Sequence, residues 1–409
     1  MSDPLTLCRG MWDLDEVGGI VVGGRAIEDV VTLAGGTPTY VYDRRIVAET
    51  LQTLRGAVPG VELFYSIKAN PFQPLVDFLA VRLDGFDVAS HRELLRAVCT
   101  GVDGDCIQFS GPGRDDLEFE QAIAAGATVN VESTRQIERV AAAATRQGRS
   151  PRVVLRVNPS SLPVTGGLRM TGVPSQFGIA VEEIENAVAL CRSHSIEPLG
   201  FHLYWGTQSL DGERVAAVQR ECWAVARGLA AANGLSISYL NLGGGFGIPY
   251  YGTDESLDLE PIGEAIGEIR AELLRENPDA RLVLELGRYV VGPAGVYVCR
   301  VIDVKWSNGI KLAVTDGGMH QHLAASGNLG QAVVRSMPCF TPANMRAEAR
   351  DSVRVVGRLC TPLDVLCPEA ALPTVDHGDL IAIFQSGAYG ASASPRDFLG
   401  HAAVSEVLL

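Results

Sequence analysis

The sequence predicts an α/β protein: a closed parallel (β/α)8 barrel of the TIM type, followed by a second, mostly β domain. Three observations carry this. From about residue 60, eight short β-rich runs alternate with amphipathic helical stretches, the pattern of a parallel barrel. After residue 290 that rhythm stops, and strand-like runs follow one another with little helix between them. At 409 residues the chain is too long for one ordinary core.

The elements follow in order. Residues 1–40 lack the βα rhythm, yet IVVGGRAI and PTYVYD read as strands. Terminal strands often pair, so this segment is expected to pack with the β domain. Residues 41–290 are expected to form the barrel. Its strands are ELFYSIKA, GFDVAS, CIQFSG, TVNVES, RVVLRVN, LGFHLYWG, YLNLGGG and RLVLELG. Between them lie HRELLRAVCTG, LEFEQAIAAG, TRQIERVAAAATRQG, VEEIENAVALCRSH, RVAAVQRECWAVARGLAAANG and EPIGEAIGEIRAELLREN, all with helical periodicity. Ser90 and Glu93 have the spacing of a capping box at the start of the first of these. Residues 291–409 are expected to form the β domain, from VYVCRVIDVKW, GIKLAVTDGG, SVRVVGRLC and DLIAIFQSGAYG. No internal repeat or low-complexity tract interrupts the chain.

Composition narrows the function classes. Hydrophobic residues make up 47% and charged residues 20%, which is a packed globular chain. A formal net charge of -14 argues against nucleic acid or an anionic membrane as the main partner. Nine cysteines are scattered without CxxC or metal-finger spacing, so no metal is expected. The start shows no basic region leading an apolar run, which with the odd cysteine count points to a reducing cytoplasm. No run approaches the length of a membrane span.

The chemistry is expected at the C-terminal ends of the barrel strands. Those ends carry Lys68, Asp87, Arg156, His202, the loop Gly243-Gly244-Gly245-Phe246-Gly247, Glu285 and Gly287-Arg288. Branched apolar residues would be ordinary filler there. Each has a plain structural alternative: Lys68 can snorkel to water, the glycines can make a tight turn, Glu285 can pair with Arg288, and His202 can be a satisfied core histidine. The glycine loop lacks dinucleotide spacing. It follows the seventh strand, where barrels bind phosphate through backbone N–H groups. Together the set is a lysine able to form a Schiff base, a phosphate cradle, a flat imidazole and a carboxylate for a ring nitrogen. Pyridoxal 5'-phosphate needs that set.

The motifs YSIKANP, FDVAS, NLGGGFG, ELGR, GRLCTPLD and SGAYG, in this order, resemble the fold type III (alanine-racemase-fold) pyridoxal-phosphate decarboxylases, the group of ornithine and diaminopimelate decarboxylases. The likeness spans roughly residues 35 to 395. It implies that Lys68 holds the cofactor, with Asp87 nearby. It implies that Glu285 keeps the ring nitrogen protonated and that His202 stacks on the ring. Gly244, Gly245, Gly287 and Arg288 are implied to bind phosphate, with Tyr389 adding a hydroxyl; Arg156 is grouped with these cofactor contacts. Cys360 is implied to come from a partner subunit and to reprotonate the substrate carbon, so a homodimer with shared sites is expected. A buried, inert Cys360 is the plain alternative. Glutamate at the ring nitrogen favours decarboxylation, since alanine racemases place an arginine there.

The sequence departs from the diamino-acid enzymes at two places. Thr361 follows Cys360 where those enzymes usually have an acid, and the acid comes at Asp364. The run His202-Leu203-Tyr204-Trp205-Gly206-Thr207-Gln208 puts Trp205 where a phosphate-binding serine is common. A subgroup sharing CTPLD and TDGGMHQHLAASGNLGQ resembles decarboxylases of natural-product pathways that act on glutamyl or aspartyl groups attached to an acyl carrier protein. The expected reaction is therefore decarboxylation of a carrier-bound acidic amino acid. Free diaminopimelate, ornithine or lysine is the alternative, followed by racemisation or a non-catalytic homologue. Asp316, His320, Thr361 and Asp364 are substrate-site candidates. Arg335, Arg346, Arg350 and Arg354 could dock an acidic carrier, or form a solvated basic loop. His320 and His322 are expected near the substrate channel or exposed. GLRMTGVPSQFGI, residues 167 to 179, reads as a loop over the cofactor mouth.

Overall fold

The computed structural model describes residues 11–159, 175–251, 254–329 and 335–409. The chain divides into two compact units. One contains residues 51–248 and 256–287; the other contains residues 1–50, 249–255 and 288–409. The greater part of the 167–179 loop lies outside the described residues.

The first unit is a closed parallel barrel. Its strands are β1 (Glu62–Ser66), β2 (Gly85–Val88), β3 (Ile107–Phe109), β4 (Thr128–Val131), β5 (Arg152–Asn158), β6 (Gly200–Leu203), β7 (Tyr239–Asn241) and β8 (Arg281–Leu286). Each pairs in parallel with the next, and β8 returns to β1 through Glu285 opposite Phe64. All eight runs read from the sequence are these strands. Phe64, Val154, Tyr239 and Val283 pack together in the core, and burial on both faces suits such strands.

The helices begin where short polar residues satisfy the unpaired N–H groups of the first turn. Ser90 caps helix His91–Cys99 by accepting the Glu93 N–H. Glu93 reaches one residue further back, to the Ala89 N–H at 2.7 Å, so the expected box is offset by a residue. A complete box forms instead at Asp115 and Glu118, opening helix Asp116–Ala125. Helices Thr134–Gln147 and Gly212–Asn233 end on Gly148 and Gly234, whose φ of 61° and 58° suit glycine. No helix among the described residues is long and apolar enough to cross a membrane.

The second unit is a mixed sheet organised by strand Gly295–Ser307. That strand pairs antiparallel with Thr39–Tyr42, Ile310–Thr315 and Leu380–Ile383. The C-terminal strand Ser405–Leu408 runs parallel to Thr39–Tyr42. Strand Asp351–Val356 adds in parallel to Ile310–Thr315 and carries Val365–Leu372 on its other edge. The early segment also holds a short helix, Ile27–Leu33, that alternation in the sequence did not disclose.

Candidate active site

Lys68 does not extend strand β1. Pairing ends at Ser66, opposite Asp87, and a single 3-10 turn, Ile67–Ala69, carries the lysine. The Tyr65 hydroxyl donates to the Asn70 carbonyl at 3.0 Å and holds the chain as it leaves the strand. Lys68 Nζ lies 3.5 Å from Asp87 Oδ2 and 5.6 Å from the Tyr204 ring centroid. With 42% of its side chain exposed, the ammonium stays wet while one side faces a buried acid.

Asp87, at the end of β2, is buried and accepts the Ser66 and Ser110 hydroxyls, each at 3.0 Å. Burial pushes its carboxyl up, helped by the charge of Glu285, while Lys68, His202 and Ser110 pull against that shift.

Glu285, on β8, is buried at the centre of a polar network inside the barrel. Its Oε2 accepts Gln108 Nε2 at 3.0 Å and Asn241 Nδ2 at 3.1 Å. Its Oε1 faces His202 Nε2 at 3.4 Å without hydrogen-bond geometry. Burial opposes ionisation, but His202, Lys68 and Arg156 outweigh it and hold the carboxyl below its ordinary value. His202 is fully buried and meets Asn130 Nδ2 at 2.9 Å through Nδ1. Asn130 Nδ2 lies against Nδ1, which leaves Nε2 as the ring nitrogen facing Glu285.

The glycine loop lies flush on the strand ends. A Cβ at Gly244 would stand 2.0 Å from the Glu285 carbonyl oxygen, and one at Gly245 would stand 2.4 Å from that of Gly206. Gly245 also has φ 86°. Gln208 clamps the far end through both halves of its amide, at the Ile248 carbonyl (2.6 Å) and N–H (3.2 Å). The N–H groups of Gly244 and Gly245 donate to no acceptor among the described residues. Two adjacent unpaired donors form an anion-binding concavity.

Arg156 is committed to Glu132, with both carboxylate oxygens 3.1 Å from its NH1. Glu132 also accepts the N–H groups of Gly111 and Gly178. Arg156 stacks over Phe177 at 4.9 Å and stands 5.9 Å from the Tyr204 ring, so Tyr204 is flanked by two cations. Gly287 lies close to Ala69 and Ser66, where a Cβ would meet the Ala69 methyl at 2.6 Å.

These residues fit pyridoxal phosphate. The free glycine N–H pair suits a phosphate, Glu285 Oε1 is the oxygen left open for a protonated ring nitrogen, and Lys68 is the amine at the rim. Sequence reasoning missed Ser66, Gln108, Ser110, Asn130, Glu132 and Asn241. Their signal was present, since Gln108, Asn130 and Asn241 are polar residues inside otherwise apolar strands.

In the β unit, Arg288 NH1 donates to the Tyr250 hydroxyl at 2.6 Å and its guanidinium stacks over Tyr389 at 4.6 Å. Cys360 is exposed, which removes the reading of a buried inert thiol. Thr361 Oγ1 accepts the Leu363 N–H at 3.3 Å. Asp364 is buried; Oδ1 takes the Met319 N–H (2.6 Å) and Oδ2 the Leu359 N–H (2.8 Å). Asp316 accepts the Thr37 hydroxyl at 2.6 Å and the Arg300 N–H at 2.8 Å. Arg335 stacks on Tyr251 at 4.9 Å, Arg346 and Arg354 donate to the carbonyls of Glu16 and Pro368, and Arg350 is exposed. No group of three metal-ligating side chains occurs among the described residues.

His320 and His322 are not exposed, because both are fully buried beneath the C-terminal strands and turns. His322 bonds Ser386 Oγ at 2.8 Å and packs between Tyr40 and Tyr297. Burial lowers His322 to about 3; burial, His401 and Arg358 lower His320 to about 4. A histidine held neutral when folded takes up a proton on unfolding. For His322 this stability is complete above pH ~6.5 and falls below it by about 1.4 kcal/mol per pH unit, and His320 adds in the same direction. Thermal melts between pH 7 and 4 should show the fall, and His322→Gln should flatten it; an unchanged slope would contradict the assignment.

The family follows from comparison with known proteins. Residues 44–292 match the model described as "Pyridoxal-dependent decarboxylase, pyridoxal binding domain". The chain belongs to this family of pyridoxal-phosphate-dependent decarboxylases. It is 32% identical over 379 residues to the L-glutamyl-[BtrI acyl-carrier protein] decarboxylase of Niallia circulans, covering 91% of this chain and 88% of the relative. It is 30% identical over 395 residues to the diaminopimelate decarboxylase of Archaeoglobus fulgidus, covering 95% and 91%. Among solved structures, diaminopimelate decarboxylase from M. jannaschii in complex with L-lysine superposes with a TM-score of 0.85 at 25% identity, covering 98% of this chain and 93% of that one. The protein is an amino acid decarboxylase that uses pyridoxal phosphate.

Proposed function

We propose that the substrate is an acidic amino acid, glutamyl or aspartyl in type, presented as an acyl-carrier-protein thioester. The observation that carries this is the state of the acid after the cysteine. An enzyme for a free diamino acid needs an anion for the distal ammonium. Here Thr361 follows Cys360, and Asp364 is buried with both oxygens committed to backbone N–H groups. A glutamyl or aspartyl group linked to the carrier through its side-chain carboxyl keeps the α-carboxylate free and has no distal ammonium to bind. The glutamyl carrier-protein decarboxylase of Niallia circulans supports the same reading.

When bound, pyridoxal phosphate supplies the electron-withdrawing ring that accepts the electron pair left as carbon dioxide departs. The chain does the rest. Lys68 is the residue that would hold the cofactor's aldehyde, and its half-exposed amine is reachable by a substrate amine. Glu285, ionised and oriented by Gln108 and Asn241, would hold a proton on the ring nitrogen. His202, fixed by Asn130, would support the ring, and Asp87 balances positive charge at the lysine. Gly244, Gly245 and Gly287 would hold the phosphate, with Arg288 and Tyr389 proposed as further contacts. Arg156 supports the rim through Glu132. Cys360, supplied by the partner of a homodimer, donates the proton to the α-carbon.

Cys360→Ala should slow turnover by on the order of 10²-fold, retain cofactor and allow protonation on the wrong carbon. Parent-like turnover in that variant would refute the proton-donor role. The substrate is tested by carbon dioxide release from glutamyl- and aspartyl-carrier thioesters against free glutamate, diaminopimelate, ornithine and lysine. Release from the thioesters alone supports the proposal; comparable release from a free diamino acid overturns it. Arg335, Arg346, Arg350 and Arg354 are the proposed docking residues for an acidic carrier. Their replacement should raise KM for the thioester and leave kcat unchanged.

A further inference from the structure

The geometry points to Asn241 as a positioning residue that holds the phosphate loop and the ring-nitrogen acid in one frame. Asn241 ends β7 and is fully buried. Its Oδ1 accepts the Gly243 N–H at 2.6 Å, where the glycine loop begins. Its Nδ2 donates to Glu285 Oε2 at 3.1 Å and to Gln108 Oε1 at 2.8 Å. Gly243 is bracketed from the other side, because its carbonyl accepts the Glu285 N–H at 3.0 Å. One side chain therefore touches both structures that must grip opposite ends of the cofactor.

The amide is needed because its two ends do different work. The oxygen fixes where the loop starts. The nitrogen occupies Glu285 Oε2, which directs Oε1 toward the ring nitrogen. Gln108 reinforces this, since its own oxygen is taken by Asn241 and by the Tyr239 hydroxyl at 2.7 Å. An aspartate at 241 would keep the acceptor for Gly243 but set a second carboxylate against Glu285, in a place where like charges in low dielectric are costly. An alanine would lose both ends.

This inference rests on the cofactor assignment and not on the substrate, so a failed carrier-protein screen leaves it standing. The test uses the full-length enzyme freed of cofactor, with inorganic phosphate and pyridoxal as separate probes for the two ends. Asn241→Asp should hold phosphate within about twofold of the parent and weaken pyridoxal by roughly tenfold or more. As pH falls and one of the paired carboxyls protonates, the variant should regain pyridoxal affinity relative to the parent. Asn241→Ala should weaken both probes. Equal losses of phosphate and pyridoxal in Asn241→Asp, with no recovery at low pH, would reduce Asn241 to a general structural role and overturn the proposal. So would unchanged binding of both probes in either variant.

Discussion

Lys68→Ala abolishes decarboxylation, by on the order of 10⁴-fold or more, and removes the visible absorbance of lysine-bound cofactor. The chain has only three lysines, at 68, 305 and 311. Lys311 is buried and bonded to Asp351 at 2.7 Å, and Lys305 is exposed near the end of strand Gly295–Ser307. Both belong to the sheet of the β unit, so neither is expected to replace Lys68. The fold should survive, because Lys68 is part-exposed and Asp87 keeps both serine hydroxyls. Asp87 loses an opposing charge, so its carboxyl rises further. Carbon dioxide release, an absorbance spectrum and a thermal melt on one preparation check all three points. Residual activity within tenfold of the parent would contradict the assignment.

Glu285→Gln should lower turnover by on the order of 10²- to 10³-fold while retaining fold and cofactor. The direction comes from the donors around it. Gln108 and Asn241 both present N–H groups to the position of Oε2, so the new amide must place its oxygen there. Its NH₂ group then occupies the position of Oε1 and offers a donor to the ring nitrogen. That favours an unprotonated ring, a poorer electron acceptor. The wild-type carboxyl is held below its ordinary value, so it stays ionised as pH falls through the normal glutamate range. Its stability contribution is present above about pH 4.5, the unfolded value, and is lost only as pH falls through the lower folded value. Steady-state rates from pH 5 to 8 check the first statement, and melts of parent and variant from pH 7 down to about pH 3 check the second. A variant with more than a third of parental activity would contradict the role of the charge.

The architecture was legible because two periodicities repeat in alternation. Barrel strands buried on both faces read as short apolar runs, and helices such as Thr134–Gln147 show one apolar side. Lys68 and Glu285 stood out because charge at the end of an apolar strand is costly without a purpose. Gln108, Asn130 and Asn241 were passed over because an uncharged amide in a strand looks like tolerated polarity. Their meaning depends on neighbours far away in sequence, as with Gln108 and Glu285. Asp364 illustrates the opposite limit. Its position beside the cysteine motif suggested substrate contact, but the backbone N–H groups of Met319 and Leu359 claim it, and such partners are set by tertiary folding. His320 and His322 gave no sign of depth, since burial of a loop histidine depends on what packs over it.

The central claim is a covalent bond between one particular amine and the cofactor. Reducing the holoenzyme with borohydride fixes that bond, and digestion with mass spectrometry then locates the pyridoxyl mass. The account predicts it on the peptide containing Lys68, in stoichiometric amount, with Lys305 and Lys311 unmodified. A label on either of those two lysines, or none on any of the three, would contradict it.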